Sequence, residues 1–112
     1  MKRILYIEDS PVSIVALTMV CAQKGWQIDI STDGWDALAR LMSDCAYDLV
    51  ILDWWLPKSV SSDALKQIIE RGKFKVIVYT GDRDVKVDCP IWYKDEGKLS
   101  DFIKKIEEML NT

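Results

Sequence analysis

Short apolar runs alternate with longer stretches of helical period along the chain. Arg3 to Ile7 is an apolar run that ends in Glu8-Asp9, and it predicts a first strand. Ser10-Pro11 is a strong helix start, with serine as N-cap and proline at the first helical position. That helix should run to about Lys24, with Gly25 as its stop. Trp26 to Ile30 alternates apolar and polar residues, as a second strand does. Thr32-Asp33-Gly34 reads as a turn or cap, after which Trp35, Leu38, Leu41 and Met42 recur at helical spacing. Leu49 to Leu52 is apolar on both faces, the mark of a buried parallel strand, and it ends in Asp53. Trp54-Trp55-Leu56-Pro57 follows, and Pro57 opposes both a continuing strand and an immediate helix. Ser61-Ser62-Asp63 caps a third helix with Leu65, Ile68 and Ile69 on one face and Gly72 after it. Lys75 to Thr80 is a fourth strand stopped by Gly81-Asp82, and Pro90 to Tyr93 is a brief fifth. Leu99, Phe102, Ile103, Ile106 and Leu110 form the stripe of a last amphipathic helix.

Strands alternating with helices predict an α/β fold with a parallel sheet covered on both faces. Right-handed crossovers make it a doubly wound, five-stranded sheet of order 2-1-3-4-5. One step breaks the alternation. Only nine residues, Gly81 to Cys89, separate the fourth strand from Pro90, whereas a helical crossover takes at least ~10–12. Asp82 to Asp88 alternates charge and valine without a helical stripe. The helix between strands four and five is therefore expected to be missing or reduced to a turn. In this order the switch point lies between strands one and three, so Glu8, Asp9 and Asp53 meet at the carboxyl edge, where open α/β sheets bind ligands.

Composition narrows the picture. A chain of 112 residues with 49% hydrophobic residues suits one domain with one packed core. The 15 basic and 18 acidic residues leave a net charge of −3, which disfavours nucleic acid or anionic lipid as a direct partner. Cys21, Cys45 and Cys89 are odd in number and make no metal or CxxC pattern, as expected of reduced thiols in a cytoplasmic protein. There is no histidine, so Ser-His-Asp and Cys-His catalysis and His-ligated metals are excluded within this chain. Lys2-Arg3 is followed by only four apolar residues, too few for a secretory leader, and the longest apolar stretch, about Val12 to Ala22, is too short to span a bilayer. Trp26 and Trp35 read as core or half-buried packing residues.

The strand ends carry the candidate chemistry: Glu8-Asp9, Asp53, Thr80 and Lys94. Three carboxylates in one cleft repel one another and stay ionised together only beside a cation. Mg²⁺, hard and oxygen-loving, suits such a donor set. With a lysine and a hydroxyl facing it, the site suits phosphoryl transfer, in which the protein positions groups and neutralises charge. One carboxylate is then a candidate nucleophile. Each residue also has a plainer reading. Asp53 can simply end a strand, Glu8-Asp9 can favour a helix N-terminus, Thr80 can be an ordinary β-former, and Lys94 a solvated loop lysine.

Nearly the whole chain resembles the receiver domain of bacterial two-component response regulators, a flavodoxin-like fold. The match rests on Tyr6-Ile7-Glu8-Asp9-Ser10, on Tyr47-Asp48-Leu49-Val50-Ile51-Leu52-Asp53 followed by Leu56-Pro57, on Val76-Ile77-Val78-Tyr79-Thr80-Gly81, and on Lys94. The resemblance implies that Asp53 is phosphorylated by a sensor histidine kinase, a phosphotransfer protein or a small phosphodonor. It implies that Glu8, Asp9, Asp53 and the backbone carbonyl of Trp55 hold Mg²⁺, and that Thr80 and Lys94 contact the phosphoryl oxygens. Gly81 matches a family preference for a small residue. Residues 1–112 are then one receiver domain without an effector domain, a signalling module rather than an enzyme acting on other substrates, cytoplasmic, working through a downstream protein target.

The chain also departs from the family. Asp95 follows Lys94 where proline in a cis bond is usual; a cis non-proline bond costs ~2.5–4 kcal/mol, so a trans junction is expected. Ser61 replaces a common turn glycine. Ile91 stands at an often aromatic switch position, with Trp92 and Tyr93 in the wrong alternation for that role. The missing helix alters the usual output face, and a bared strand-four/strand-five face is expected to bind a partner or form a homodimer. The alternative reading is a phosphorylation-independent interaction module on the same fold. A Mg²⁺-dependent aspartyl phosphatase ranks last, because Asp53-Trp54-Trp55 offers no second acid.

Overall fold

The structure is a computed structural model that describes residues 1–43, 46–54 and 61–111. Five parallel strands, β1 (Arg3–Ile7), β2 (Gln27–Ser31), β3 (Leu49–Leu52), β4 (Val76–Thr80) and β5 (Ile91–Tyr93), lie in the order β2-β1-β3-β4-β5. Helices α1 (Pro11–Gln23), α2 (Gly34–Ser43), α3 (Ser62–Arg71) and α4 (Leu99–Leu110) cover its two faces. The doubly wound order is the expected one.

Period-2 alternation divides the apolar residues of the strands between two cores. Ile4, Tyr6, Leu49, Ile51 and Ile77 pack with Leu17 and Cys21 of α1 and with Phe102, Ile103, Ile106 and Leu110 of α4. Leu5, Ile7, Val50, Leu52 and Val76 pack with Ala37 and Leu41 of α2 and with Leu65 and Ile69 of α3. All four residues of β3 are buried, as a central parallel strand requires.

Several helix ends follow local chemistry. Pro11 opens α1, and Gly25, at φ 76°, turns the chain out of it. Ser61 caps α3 by accepting a hydrogen bond from the Ala64 N–H at 3.2 Å. Ser10 is extended, as an N-cap should be, yet its side chain makes no cap bond.

Among the described residues no helix joins β4 to β5. The connection runs as bends, turns and irregular chain, with Val85 buried within it and Cys89 packed against the α2/α3 core. Lys66 of α3 is buried and pairs with Glu70 at 2.6 Å and with Asp88 of the connection. On the strand-four/strand-five face that was expected to be bared, Val76 and Val78 are buried, while Ile91, Trp92 and Tyr93 are half-buried. The exposed apolar residues lie elsewhere, with Val12, Val15 and Met19 on α1 and Trp35 and Met42 on α2. Trp35 was expected to pack but is 65% exposed. Trp26 is half-buried against the α1/α4 core, as expected.

Asp29 of β2 ties several elements together. It accepts from the Tyr47 hydroxyl at 2.7 Å and from Arg3 Nη2 at 3.3 Å, and Arg40 Nη1 lies at 4.0 Å. Burial pushes its carboxyl up, but the hydrogen bonds from Tyr47, Gln27 and Arg3 and the Arg3 charge outweigh burial and hold it below the ordinary value. A depressed folded-state value stabilises the fold above the unfolded value of about 4 and loses that effect as pH falls through the folded one. Asp29→Asn should cost about 1 kcal/mol at pH 7, with the deficit vanishing towards pH 3. Urea denaturation at both pH values measures this, and a deficit that is equal at both would contradict it.

Candidate functional site

The backbone brings the site residues together at the carboxyl edge of the sheet. Parallel pairing continues one residue past β1, β3 and β5. The Glu8 N–H donates to Ser31 O at 2.9 Å, the Asp53 N–H to Ile7 O at 3.0 Å and the Lys94 N–H to Thr80 O at 2.8 Å. Glu8 and Thr80 are fully buried, Asp53 is 7% exposed, Asp9 is exposed and Lys94 is half-buried.

Glu8, Asp9 and Asp53 each offer a carboxylate oxygen, and these oxygens lie within 4.8 Å of one another. Such a set of hard oxygen donors fits Mg²⁺. Lys94 Nζ donates to Glu8 Oε1 and lies 4.0 Å from Asp53 Oδ2. The lysine therefore pairs with the fully buried acid, and the acid ending β3 is its second neighbour. The Tyr6 hydroxyl donates to the same Glu8 oxygen at 3.1 Å, and the Asp9 N–H donates to Glu8 Oε2 at 3.3 Å. Burial alone pushes the Glu8 carboxyl up. Side-chain hydrogen bonds with Asp53, Lys94 and Tyr6, together with the Lys94 charge, outweigh burial and hold it below the ordinary carboxyl value.

Thr80 Oγ1 accepts from the Asp82 N–H at 3.1 Å, which fixes the start of the short connection. Asp95 pairs with Arg83 Nη2 at 2.9 Å, and no peptide bond among the described residues is cis, so the Lys94–Asp95 junction is trans as expected. The expected Trp55 carbonyl ligand lies outside the described residues, as does Cys45.

Two contributors escape the motif reading. Tyr6 is one; its signal is the i, i+2 spacing that puts it on the Glu8 face of β1. Ser62 is the other. Its buried hydroxyl donates to the backbone carbonyls of Asp53, at 3.2 Å, and Trp54, so α3 holds the segment just after β3. Nothing in the Ser61-Ser62-Asp63 pattern distinguishes this from ordinary capping.

Residues 4–108 match the response regulator receiver domain family. The response regulator protein TrrA from Thermotoga maritima, solved in complex with Mg²⁺-BeF, superposes with a TM-score of 0.82 at 27% identity, over 97% of this chain and 99% of that one. The transcriptional regulatory protein DltR of Streptococcus agalactiae is 35% identical over 77 residues, 69% of this chain and 34% of DltR. The autoinducer 2 sensor kinase/phosphatase LuxQ of Vibrio parahaemolyticus is 24% identical over 106 residues, 95% of this chain and 12% of LuxQ. The chain thus spans about a third or less of the length of these curated relatives. Among the described residues no helix is long and apolar enough to cross a membrane.

Proposed function

We propose that this chain, which belongs to the response regulator receiver domain family of two-component systems, accepts a phosphoryl group on Asp53 and signals by binding a protein partner. One observation carries the proposal: Glu8, Asp9 and Asp53 converge to within 4.8 Å at the carboxyl edge, with Lys94 Nζ 4.0 Å from Asp53.

In the proposed step an Asp53 carboxylate oxygen forms a bond to phosphorus while the donor's bond to phosphorus breaks. The products are an acyl phosphate and the freed donor group. Glu8, Asp9, Asp53 and the Trp55 carbonyl would hold Mg²⁺, which when bound offsets the charge of the carboxylates and of the phosphoryl oxygens. Lys94, already between Glu8 and Asp53, supplies a movable positive charge for those oxygens. Thr80 supplies a hydroxyl donor at the end of β4, since accepting from Asp82 leaves its proton available.

On this reading a sensor histidine kinase or phosphotransfer protein loads Asp53, in the cytoplasm. Residues 1–112 act as one receiver domain and contact no nucleic acid or membrane directly. Output cannot use a helix between β4 and β5, because the described connection forms none.

The test is intact-mass measurement after incubation with Mg²⁺ and acetyl phosphate. One phosphate adduct is expected, absent from Asp53→Ala and from samples with excess EDTA. No adduct, under conditions that label another receiver domain, would defeat the proposal and favour a phosphorylation-independent interaction module.

A further inference from the structure

Tyr6 is fully buried in the α1/α4 core, among side chains that need only be apolar. A phenylalanine or leucine would fill such a place without a polar atom to satisfy. A buried hydroxyl costs stability unless it finds a partner, and the Tyr6 hydroxyl has found one: Glu8 Oε1, at 3.1 Å. A hydroxyl facing a carboxylate oxygen can only donate to it, so Tyr6 is a donor to Glu8.

The other donor to that oxygen is Lys94. The two differ in freedom. Tyr6 sits on a central strand with its ring in the core, its centroid 6.3 Å from that of Tyr79. Lys94 is a long side chain, 25% exposed, with a second carboxylate 4.0 Å away. A lysine that turns towards Asp53 leaves Glu8, and a fully buried carboxylate then keeps its orientation only through donors that do not move.

We propose that Tyr6 is a positioning residue for Glu8: it holds this carboxylate in place for a divalent cation and remains its side-chain donor when Lys94 turns to Asp53. The inference rests on the Mg²⁺ site proposed above. Groups that orient a metal ligand typically change metal affinity by about 10–100-fold when removed.

Tyr6→Phe keeps the ring and removes only the oxygen. Isothermal titration of the full chain with Mg²⁺ should show affinity weakened about tenfold, with thermal melts confirming that the variant is folded. In acetyl phosphate labelling the half-saturating Mg²⁺ should rise by a similar factor, while the rate at saturating Mg²⁺ falls by much less. In a Lys94→Ala background the Tyr6→Phe step should weaken Mg²⁺ binding further than it does alone. A Tyr6→Phe protein that binds Mg²⁺ like the parent, alongside a weakened Tyr6→Leu, would reduce Tyr6 to core packing. An equal or smaller step in the Lys94→Ala background would remove the back-up role. A parent that binds no Mg²⁺ at all would overturn the metal site itself, and this inference with it.

Discussion

Lys94→Ala should lower the unfolding free energy by about 3 kcal/mol in Mg²⁺-free buffer at pH 7, the low end for breaking a buried ion pair. The size of the effect comes from Glu8, which is fully buried and accepts from Lys94 and Tyr6 on one oxygen. Removing the ammonium leaves the carboxylate charged among two other acids, with neutral donors only. Partial exposure of Lys94, 25% for its side chain, and the ability of Glu8 to take up a proton keep the cost at that end of the range. The sign with pH follows from the depressed Glu8 value. Its stabilisation is complete above an unfolded value of about 4.3 and is lost as pH falls through the folded value. The gap between parent and variant should therefore close in acid. It should also narrow on adding Mg²⁺, because a bound cation restores the missing positive charge. Urea unfolding at pH 7 with and without Mg²⁺ measures both effects. A loss under about 0.5 kcal/mol, the size of an exposed pair, would mean that Lys94 does not pair with Glu8 in solution.

That pairing marks the boundary of what the amino-acid sequence discloses. The acids, Thr80 and Lys94 were legible because they end apolar runs, and parallel order carries run-ends to one edge. The absent helix was legible from chain length alone. Side-chain choices were not. A lysine with two acids in reach goes to the one whose charge is most costly to leave buried, and burial depends on the neighbours of β1, not on the motif. Trp35 shows a related failure. Trp35 and Met42, seven residues apart, share one flank of α2, while Gly34, Ala37 and Leu41 face the sheet. Counting every apolar residue as core blurred the two directions. The burial of Val85 was not legible either: a length too short for a helix says nothing of one valine being drawn inside an otherwise largely exposed connection.

Phe102→Ala should cost about 3–5 kcal/mol, and Phe102→Leu no more than about 1.5 kcal/mol, because a leucine refills much of the space. Phe102 is 1% exposed and stacks on Tyr79 with ring centroids 4.2 Å apart and planes within 7°. Trp92 lies tilted against it at 5.7 Å. Truncation to alanine therefore removes α4's aromatic contact with both β4 and β5. Urea midpoints at constant slope are the measurement, and a cost below about 2 kcal/mol would show that α4 re-seats without it. The same ring reaches the site. Lys94 Nζ lies over the Tyr79 ring, 5.4 Å from its centroid, a distance at which a cation and an aromatic face attract. Loosening Tyr79 thus loosens a neighbour of Lys94, and residues that share a partner do not act independently. The Phe102→Ala, Lys94→Ala double variant should accordingly lose less than the sum of the two single losses. Strict additivity would place the aromatic stack and the acidic site in separate energetic units, leaving Tyr79 as packing alone.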